Sequence, residues 1–435
     1  MPNLNVMYGR QLLLSDIERL HYQSLLPFLQ KRPALVNNYC QRCHYHLQAV
    51  HVLPNGLQYC PNCLALGRIT TDQFLYYLPE KNAFVKQCNY LQWQGQLTAA
   101  QAQIATTITQ TLLRRQTRLI WAVTGAGKTE MLFQGIAAAL ARGWRVAIAA
   151  PRVDVCLELY PRLQQAFTVP ISLLHGKQKQ PYQYTQLVLC TIHQLWRFYH
   201  AFDAIIVDEV DAFPLADDTT LQFAIQQARK VDSACLYLTA TPSPALLRQI
   251  NYQQLKVSYL PLRYHQQLLP VPRIKIIPNL APRTLPWLWR RYLQRTFARS
   301  RPLLIFVPYI RWLPLLQQLW QQLFPKRRIA CVYANDPQRL TKITAFRQAQ
   351  IDVLITTTIL ERGVTFKNVD VLVYQADAPS FSIAALVQIA GRVGRYATDT
   401  AGIVVFLCKH LTINVKQACC QIKTMNCKAK QIKKL

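Results

Sequence analysis

The sequence predicts an α/β protein in which two tandem domains, each built on a parallel sheet, follow a small cysteine-bearing region. Three observations carry that prediction. From Leu97 to about Ser258, β-rich runs ("RLIWAV", "RVAIAAP", "AFDAIIVDEV", "ACLYLTAT") alternate with amphipathic stretches such as "TEMLFQGIAAALARG". Short, almost wholly apolar runs separated by helical periods are the pattern of strands buried on both faces. After a proline-rich interruption, "YLPLRYHQQLLPVPRIKIIPNLAPRTLP", the alternation resumes with "PLLIFVP", "RIACVYA", "IDVLITT", "VDVLVYQA" and "AGIVVFLC". Residues ahead of about Gly95 lack the alternation and hold paired cysteines. The expected boundaries are 1–95 for the N-terminal region, with its cysteine module at about 36–70, then 96–268 and 269–435 for the two α/β domains.

Composition narrows the partners. The 435 residues suit two to three domains, and 51% apolar residues supply their cores. Fifty Lys and Arg face 20 Asp and Glu, a formal charge of +30. Such a surface concentrates polyanions, nucleic acid first and an anionic membrane face second. No run approaches the ~18 unbroken apolar residues of a membrane span. The N-terminus lacks the basic start and apolar run of a secretory signal. A cytoplasmic protein is expected, with peripheral attachment to the inner face of the membrane open. Thirteen cysteines in a chain neither small nor secreted favour metal binding by a subset.

Taken in chain order, the first chemical element is "YCQRCHYHLQAVHVLPNGLQYCPNC", with Cys40, Cys43, Cys60 and Cys63 as two CxxC pairs. Each pair presents two thiolates on a tight knuckle, and two knuckles close a tetrahedral Zn²⁺ site. "LPNG" between them signals a turn joining two hairpin strands. His44, His46 and His51 could replace a thiolate, but four cysteines make that unnecessary, and four protein ligands leave no open position for catalysis. So small a module depends on its metal to fold, so loss of zinc is expected to unfold it locally.

Next comes "WAVTGAGKTE", which departs from the phosphate-loop pattern GxxxxGK[ST] only at Ala122. Strand, glycine turn and helix follow in the required order. Gly125, Ala126 and Gly127 let successive N–H groups face a phosphate at a helix N-terminus. Lys128 would reach the β/γ phosphates of ATP, and the Thr129 hydroxyl would hold Mg²⁺. In "AIIVDEVDAF" a buried strand ends in acids: Asp208 would bind Mg²⁺ and Glu209 would orient or deprotonate the attacking water. In "QIAGRVGR", Gln388, Arg392 and Arg395 share one helical face if the helix continues through them. Gly391 and Gly394 allow another surface to approach, and arginines so placed can stabilise charge on a γ-phosphate.

The order of these blocks resembles superfamily two helicases and translocases, which carry two RecA-like domains; the likeness spans Leu97 to Leu407. It implies further roles. Gln101 of "LTAAQ" would read adenine. Arg152 of "APRVDV" and Thr191 of "CTIHQL" would grip a nucleic-acid backbone, as would Thr357 and Thr358 of "TTTILERGVTF". Thr239 and Thr241 of "LTATP" would couple hydrolysis to domain movement, and Gly363 would lie at the nucleotide. With the zinc module in front and "DEVDAF" within, the whole chain resembles the ComFA family of late competence proteins of transformable Gram-positive bacteria. That resemblance implies an ATP-driven single-stranded-DNA translocase at the inner face of the cytoplasmic membrane. ATP, Mg²⁺ and Zn²⁺ would be its cofactors, and ComFC-like and DprA-like proteins and a membrane DNA-uptake channel its partners. The alternatives are a primosomal replication-restart helicase, typically longer and with more cysteine pairs, and a DNA-binding module without motor activity. An RNA-remodelling enzyme is a further option, because backbone-gripping blocks do not read sequence. The closing "KQACCQIKTMNCKAKQIKKL" has lysines and no acid, which reads as a basic, solvated tail or as an added contact to phosphate or anionic lipid.

Overall fold

The computed structural model describes residues 3–176, 181–278, 280, 285–361, 366–395 and 402–433. Two compact units divide the chain. Unit 1 comprises Met1–Ile120, Lys128–Thr239 and Pro244–Ser258; unit 2 comprises Trp121–Gly127, Ala240–Ser243 and Tyr259–Leu435.

The first sheet has seven strands: β1 Thr117–Ala122, β2 Val146–Ala150, β3 Ile171–Leu174, β4 Leu187–Thr191, β5 Phe202–Val207, β6 Arg229–Thr239 and β7 Lys256–Leu260, in the order β3-β4-β2-β5-β6-β1-β7. All of it belongs to unit 1 except the last two residues of β1 and of β7, which are grouped with unit 2. β3, β4, β2, β5 and β6 pair parallel in succession. Every residue of β2, β4 and β5 is buried, which is why these strands read as unbroken apolar runs instead of alternating ones. The flanking helices are α1 Ala99–Leu113, α2 Lys128–Ala141, α3 Val153–Ala166, α4 Thr219–Ala228 and α5 Pro244–Asn251.

The N-terminal region belongs to unit 1 and shares its core. Phe74–Tyr77 pairs antiparallel with both Gln11–Leu13 and Gln30–Pro33 in a three-stranded sheet. Two short hairpins, Leu35–Val36 with Tyr39–Cys40 and Tyr59–Cys60 with Ile69–Thr70, carry the cysteines. The expected turn at "LPNG" forms: Gly56 N donates to Leu53 O at 2.9 Å, beside a bridge between Val52 and Gln58. Leu13, Leu47, Ile69, Leu75 and all four cysteines lie in one buried cluster with Trp196, Phe198, Ile205 and Leu221 of the sheet domain. Polar ties reinforce this continuity. Asn62 Nδ2 donates to Thr220 Oγ1 at 2.9 Å, and His44 stacks on Phe223 of α4 at 4.5 Å. Arg145, at the entry to β2, forms an ion pair with Glu80 at 2.6 Å, with both side chains fully buried.

Unit 2 holds β8 Arg273–Ile276, β9 Leu303–Phe306, β10 Ile329–Val332, β11 Val353–Thr356, β12 Asp370–Tyr374 and β13 Val404–Cys408 in the order β8-β13-β12-β9-β11-β10. All neighbours pair parallel. Helices α6 Trp287–Thr296, α7 Leu313–Leu323, α8 Arg339–Arg347 and α9 Ile383–Ala390 accompany them. The lysine-rich end is ordered, against its reading as a solvated tail: it forms α10, Ile413–Lys433. Val415, Ala418, Cys419, Ile422, Met425 and Ala429 are buried, a stripe at helical spacing that apolar packing holds in place. Asn426 fastens the helix to the proline-rich segment, accepting from Leu269 N at 2.8 Å and donating to Leu269 O at 2.9 Å. Lys416, Lys423 and Lys430 occupy the exposed face, which explains why the segment looked like a tail.

Candidate active site and metal centre

The phosphate loop leaves β1 and enters α2. Gly125 and Gly127 have φ of 78° and 71°, a left-handed backbone that costs glycine nothing and a Cβ-bearing residue about 1 kcal/mol or more. Ala126 is buried, and Lys128 opens α2 with Thr129 buried behind it. The loop's Thr124 Oγ1 is buried with no hydrogen-bond partner among the described residues. A buried hydroxyl left this way costs about 1–3 kcal/mol, and a bound phosphate group would satisfy it. The residues present therefore fit a nucleotide.

At the carboxyl end of β5, Asp208 N donates to Ala149 O at 2.9 Å. The Asp208 carboxylate lies 3.9 Å from Lys128 Nζ and accepts from Glu209 N at 2.9 Å. Burial pushes its pKa above the ordinary value, opposed by Lys128 and reinforced by Glu209. A carboxylate under that pressure, with its side chain 14% exposed, favours a cation as partner, so its chemistry is compatible with Mg²⁺. Glu209 has φ of 51°, an uncommon value for a residue with a side chain and of a kind found where a side chain must be aimed.

The other expected residues fall as follows. Gln101 is the third residue of α1 and is buried; its Oε1 accepts from Thr98 N at 2.9 Å in a capping box. Arg152 precedes α3 at the end of β2, and its Nη1 is buried without a hydrogen-bond partner among the described residues. Thr191 ends β4, buried. Thr239 ends β6 and donates to Asp211 Oδ1 at 2.5 Å, and Thr241 is buried just beyond. Arg152, Thr191, Asp208 and Thr239 thus all stand at carboxyl ends of strands in unit 1, the edge where open α/β sheets bind ligands. In unit 2, Thr357 and Thr358 follow β11, half-buried around the start of a short 3₁₀ turn. Gly363 lies outside the described residues.

The arginine block departs from its expected geometry. Gln388 is buried in α9, but the helix ends at Ala390, so Arg392 and Arg395 do not continue its face. Arg392 N and Val393 N instead bond three residues back, to Ile389 O at 3.1 Å and Ala390 O at 3.3 Å. The helix tightens into a turn that Gly394, at φ of 67°, completes. The expectation that Gly391 admits a close neighbour holds: a Cβ built there would lie 2.1 Å from Thr124 Oγ1. Arg392 is buried to 1% exposure, and Arg395 Nε donates to Gly391 O at 3.3 Å.

The four cysteines converge, with every Sγ within 4.8 Å of the others. Cys40 to Cys63 is 3.7 Å and Cys43 to Cys60 is 3.5 Å. A tetrahedron with Zn–S bonds of about 2.3 Å has edges of about 3.8 Å, so the set fits zinc. His44 is not a ligand; it is sandwiched between Tyr39 and Phe223. Arg42, read over in the sequence, is buried and donates from Nε to Cys63 Sγ at 3.3 Å and from Nη2 to Cys63 O at 3.2 Å. Hydrogen bonds from Cys40, Cys43 and Cys60, with Arg42 adding its charge, pull the Cys63 thiol down towards thiolate. Two residues beyond Arg42 also escaped sequence reasoning. Asp211 was visible as the second aspartate and third acid of "DEVD", but Arg263 had no signal within a segment read as linker.

Two family models match the chain: "Type III restriction enzyme, res subunit" over residues 94–244 and "Helicase conserved C-terminal domain" over residues 288–397. The chain is 40% identical over 405 residues to competence protein ComFA of Streptococcus pneumoniae, covering 92% of this chain and 93% of that one. Against ComFA of Bacillus subtilis it is 39% identical over 396 residues, covering 89% and 85%. Its fold is similar to the DEAD-box helicase Mss116 bound to ssRNA and UDP-BeF, with a TM-score of 0.54 at 17% identity over 72% of this chain and 69% of that one. It is likewise similar to RecG bound to a three-way DNA junction, with a TM-score of 0.52 at 16% identity over 77% and 45%. Both parallel-sheet units thus have the RecA-like fold of helicases.

Proposed function

Because this chain belongs to the ComFA family of competence proteins and is an ATPase of helicase superfamily two, we propose that its ATP hydrolysis drives movement along single-stranded DNA during DNA uptake. The observation that carries the ATPase half is Lys128 facing Asp208 at 3.9 Å behind a glycine-turned phosphate loop. Lys128 binds the β/γ phosphates. Thr129 and Asp208 would hold Mg²⁺, which neutralises phosphate charge when bound. Glu209 takes the proton of the attacking water. Arg392 and Arg395 stabilise charge on the transferred phosphoryl group. Thr239, bonded to Asp211, relays the state of the acidic block to the segment after β6.

The DNA half is supported by the +30 charge and by Arg152, whose buried Nη1 lacks a hydrogen-bond partner among the described residues and is chemically suited to a backbone phosphate. Among the described residues no helix is long and apolar enough to cross a membrane. Work at the inner membrane face, with ComFC-like and DprA-like partners and an uptake channel, is the finer part of the proposal. One experiment tests its centre: ATP turnover titrated separately with single-stranded DNA, duplex DNA and RNA. Single-stranded DNA should stimulate most, with affinity falling by a slope of about −0.7 per phosphate contact against log salt. Lys128→Ala should abolish turnover and keep DNA binding, while Glu209→Gln should bind ATP and turn over very slowly. Preferential stimulation by RNA, or affinity indifferent to salt, would overturn the reading.

A further inference from the structure

Within unit 2, the strap that follows β7, Leu260–His265, touches two loops at once. Leu260 O accepts from Val123 N at 3.0 Å and Tyr264 N donates to Gly125 O at 3.0 Å, so both ends of the strap are bonded to the phosphate loop. Between these bonds the Arg263 side chain runs past Gly125, where an added Cβ would lie 3.9 Å from Arg263 Cγ. Its side chain is buried to 2% exposure. Nη1 donates to Val393 O at 2.7 Å and to Gly394 O, and Nη2 donates to Gly391 O at 3.2 Å. These are carbonyls of the tight turn after α9, where the helix leaves acceptors unsatisfied and its dipole is negative. A guanidinium, planar and with five fixed donors, can serve three such carbonyls together; an ammonium on a flexible stem cannot hold the same fork.

We propose that Arg263 is a positioning residue for ATP hydrolysis, clamping the Gly391–Gly394 backbone that carries Arg392 and leads directly into Arg395, and fixing it in one frame with the phosphate loop. The inference rests on the reading of those two arginines as the groups that stabilise phosphoryl charge. The contact is close enough to need a clamp: Gly391 sits so near Thr124 that a Cβ would lie 2.1 Å from its Oγ1. A turn built on glycines has little to hold its shape unaided, and three hydrogen bonds from one buried cation supply that hold.

The test compares Arg263→Ala and Arg263→Lys with wild type and Arg392→Ala, using the full chain with single-stranded DNA. ATP turnover is read beside the affinity for a fluorescent ATP analogue. Misplacing reacting groups by about an ångström costs on the order of 100-fold. Both Arg263 variants are therefore expected to lose about 10- to 100-fold in kcat, with nucleotide affinity within about threefold. Millimolar guanidinium should restore part of the turnover of Arg263→Ala and none of that of Arg263→Lys, a difference that a general loss of fold would not produce. Wild-type kcat in Arg263→Ala would overturn the clamp, as would nucleotide affinity falling in step with kcat in Arg263→Lys. Normal turnover by Arg392→Ala would instead remove the arginine reading on which the clamp rests, so the two failures are told apart.

Discussion

Replacing Glu80 by Gln removes the charge of a carboxylate that answers a completely buried guanidinium. Arg145 Nη1 meets Glu80 Oε2 at 2.6 Å, with both side chains at 0% exposure. The remaining donors go to Tyr8 O at 3.1 Å, Thr185 O at 3.2 Å and the Tyr182 hydroxyl at 2.5 Å, and the Tyr184 hydroxyl donates to the other carboxylate oxygen. The rings of Tyr184, Phe202 and Phe198 enclose the cation at 4.8, 5.1 and 5.5 Å. Water cannot replace the lost charge there. Removing one member of a buried pair costs about 3–5 kcal/mol because the other is left uncompensated, against a total stability of about 5–15 kcal/mol. That lowers the folding equilibrium of unit 1 on the order of 100- to 4,000-fold. Hydrogen exchange read peptide by peptide resolves it: protection of β2 and β4 should fall by that factor, while peptides of β9, β11 and β12 in unit 2 serve as the unchanged control. A double variant, Glu80→Leu with Arg145→Met, should recover most of the loss, since an apolar pair of similar size carries no desolvation penalty. A decrease below tenfold in Glu80→Gln would refute the reasoning, because it would mean that the guanidinium reaches water.

Other consequences follow from the same physical terms. Chelating zinc, or Cys43→Ser, should release about one zinc per chain, and hydrogen exchange should quicken in α4 as well as in the knuckles, because Asn62 and His44 bear on Thr220 and Phe223; unaltered protection of α4 would show the module to be independent. Gly391→Ala places a Cβ 2.1 Å from Thr124 Oγ1 and 2.9 Å from Thr124 Cβ, a clash that rotation of the hydroxyl cannot relieve. Turnover should fall on the order of 100-fold and recover in part with Thr124→Gly; full activity in the single variant would contradict the geometry. Burial, partly offset by Asp218, lowers the pKa of His193 from 6.5. The unfolded chain then binds more protons, so the stability of unit 1 is fully present above pH 6.5 and is lost as pH falls through the folded-state value. In urea titrations from pH 7.5 to 5, His193→Gln should flatten that decline, and an identical decline in the variant would assign it to other groups.

Local chemistry was open to reading in one dimension. The phosphate loop, the acids after β5 and the two CxxC knuckles each need their residues within a few positions of one another, because a turn, a strand end or a chelate loop is itself local. Strand runs were legible because burial on both faces leaves no alternation to interpret. What the chain could not announce depends on partners far apart in sequence. Arg145 and Glu80 are ordinary charges until the fold excludes water from both. Arg263 sits in a proline-rich segment with no motif, and its role arises only when the carbonyls of Gly391, Val393 and Gly394 come within reach. The same holds where expectation and structure part. "QIAGRVGR" has helical spacing, yet its glycines end the helix at Ala390, since backbone freedom there outweighs the periodicity of the side chains. The lysines of α10 advertise a solvated tail, but the apolar stripe from Val415 to Ala429 binds it to unit 2. Sequence by itself determined which groups could do chemistry; tertiary structure decided which were desolvated and which backbone they hold, because the energy of a charge depends on surroundings that only the folded chain assembles.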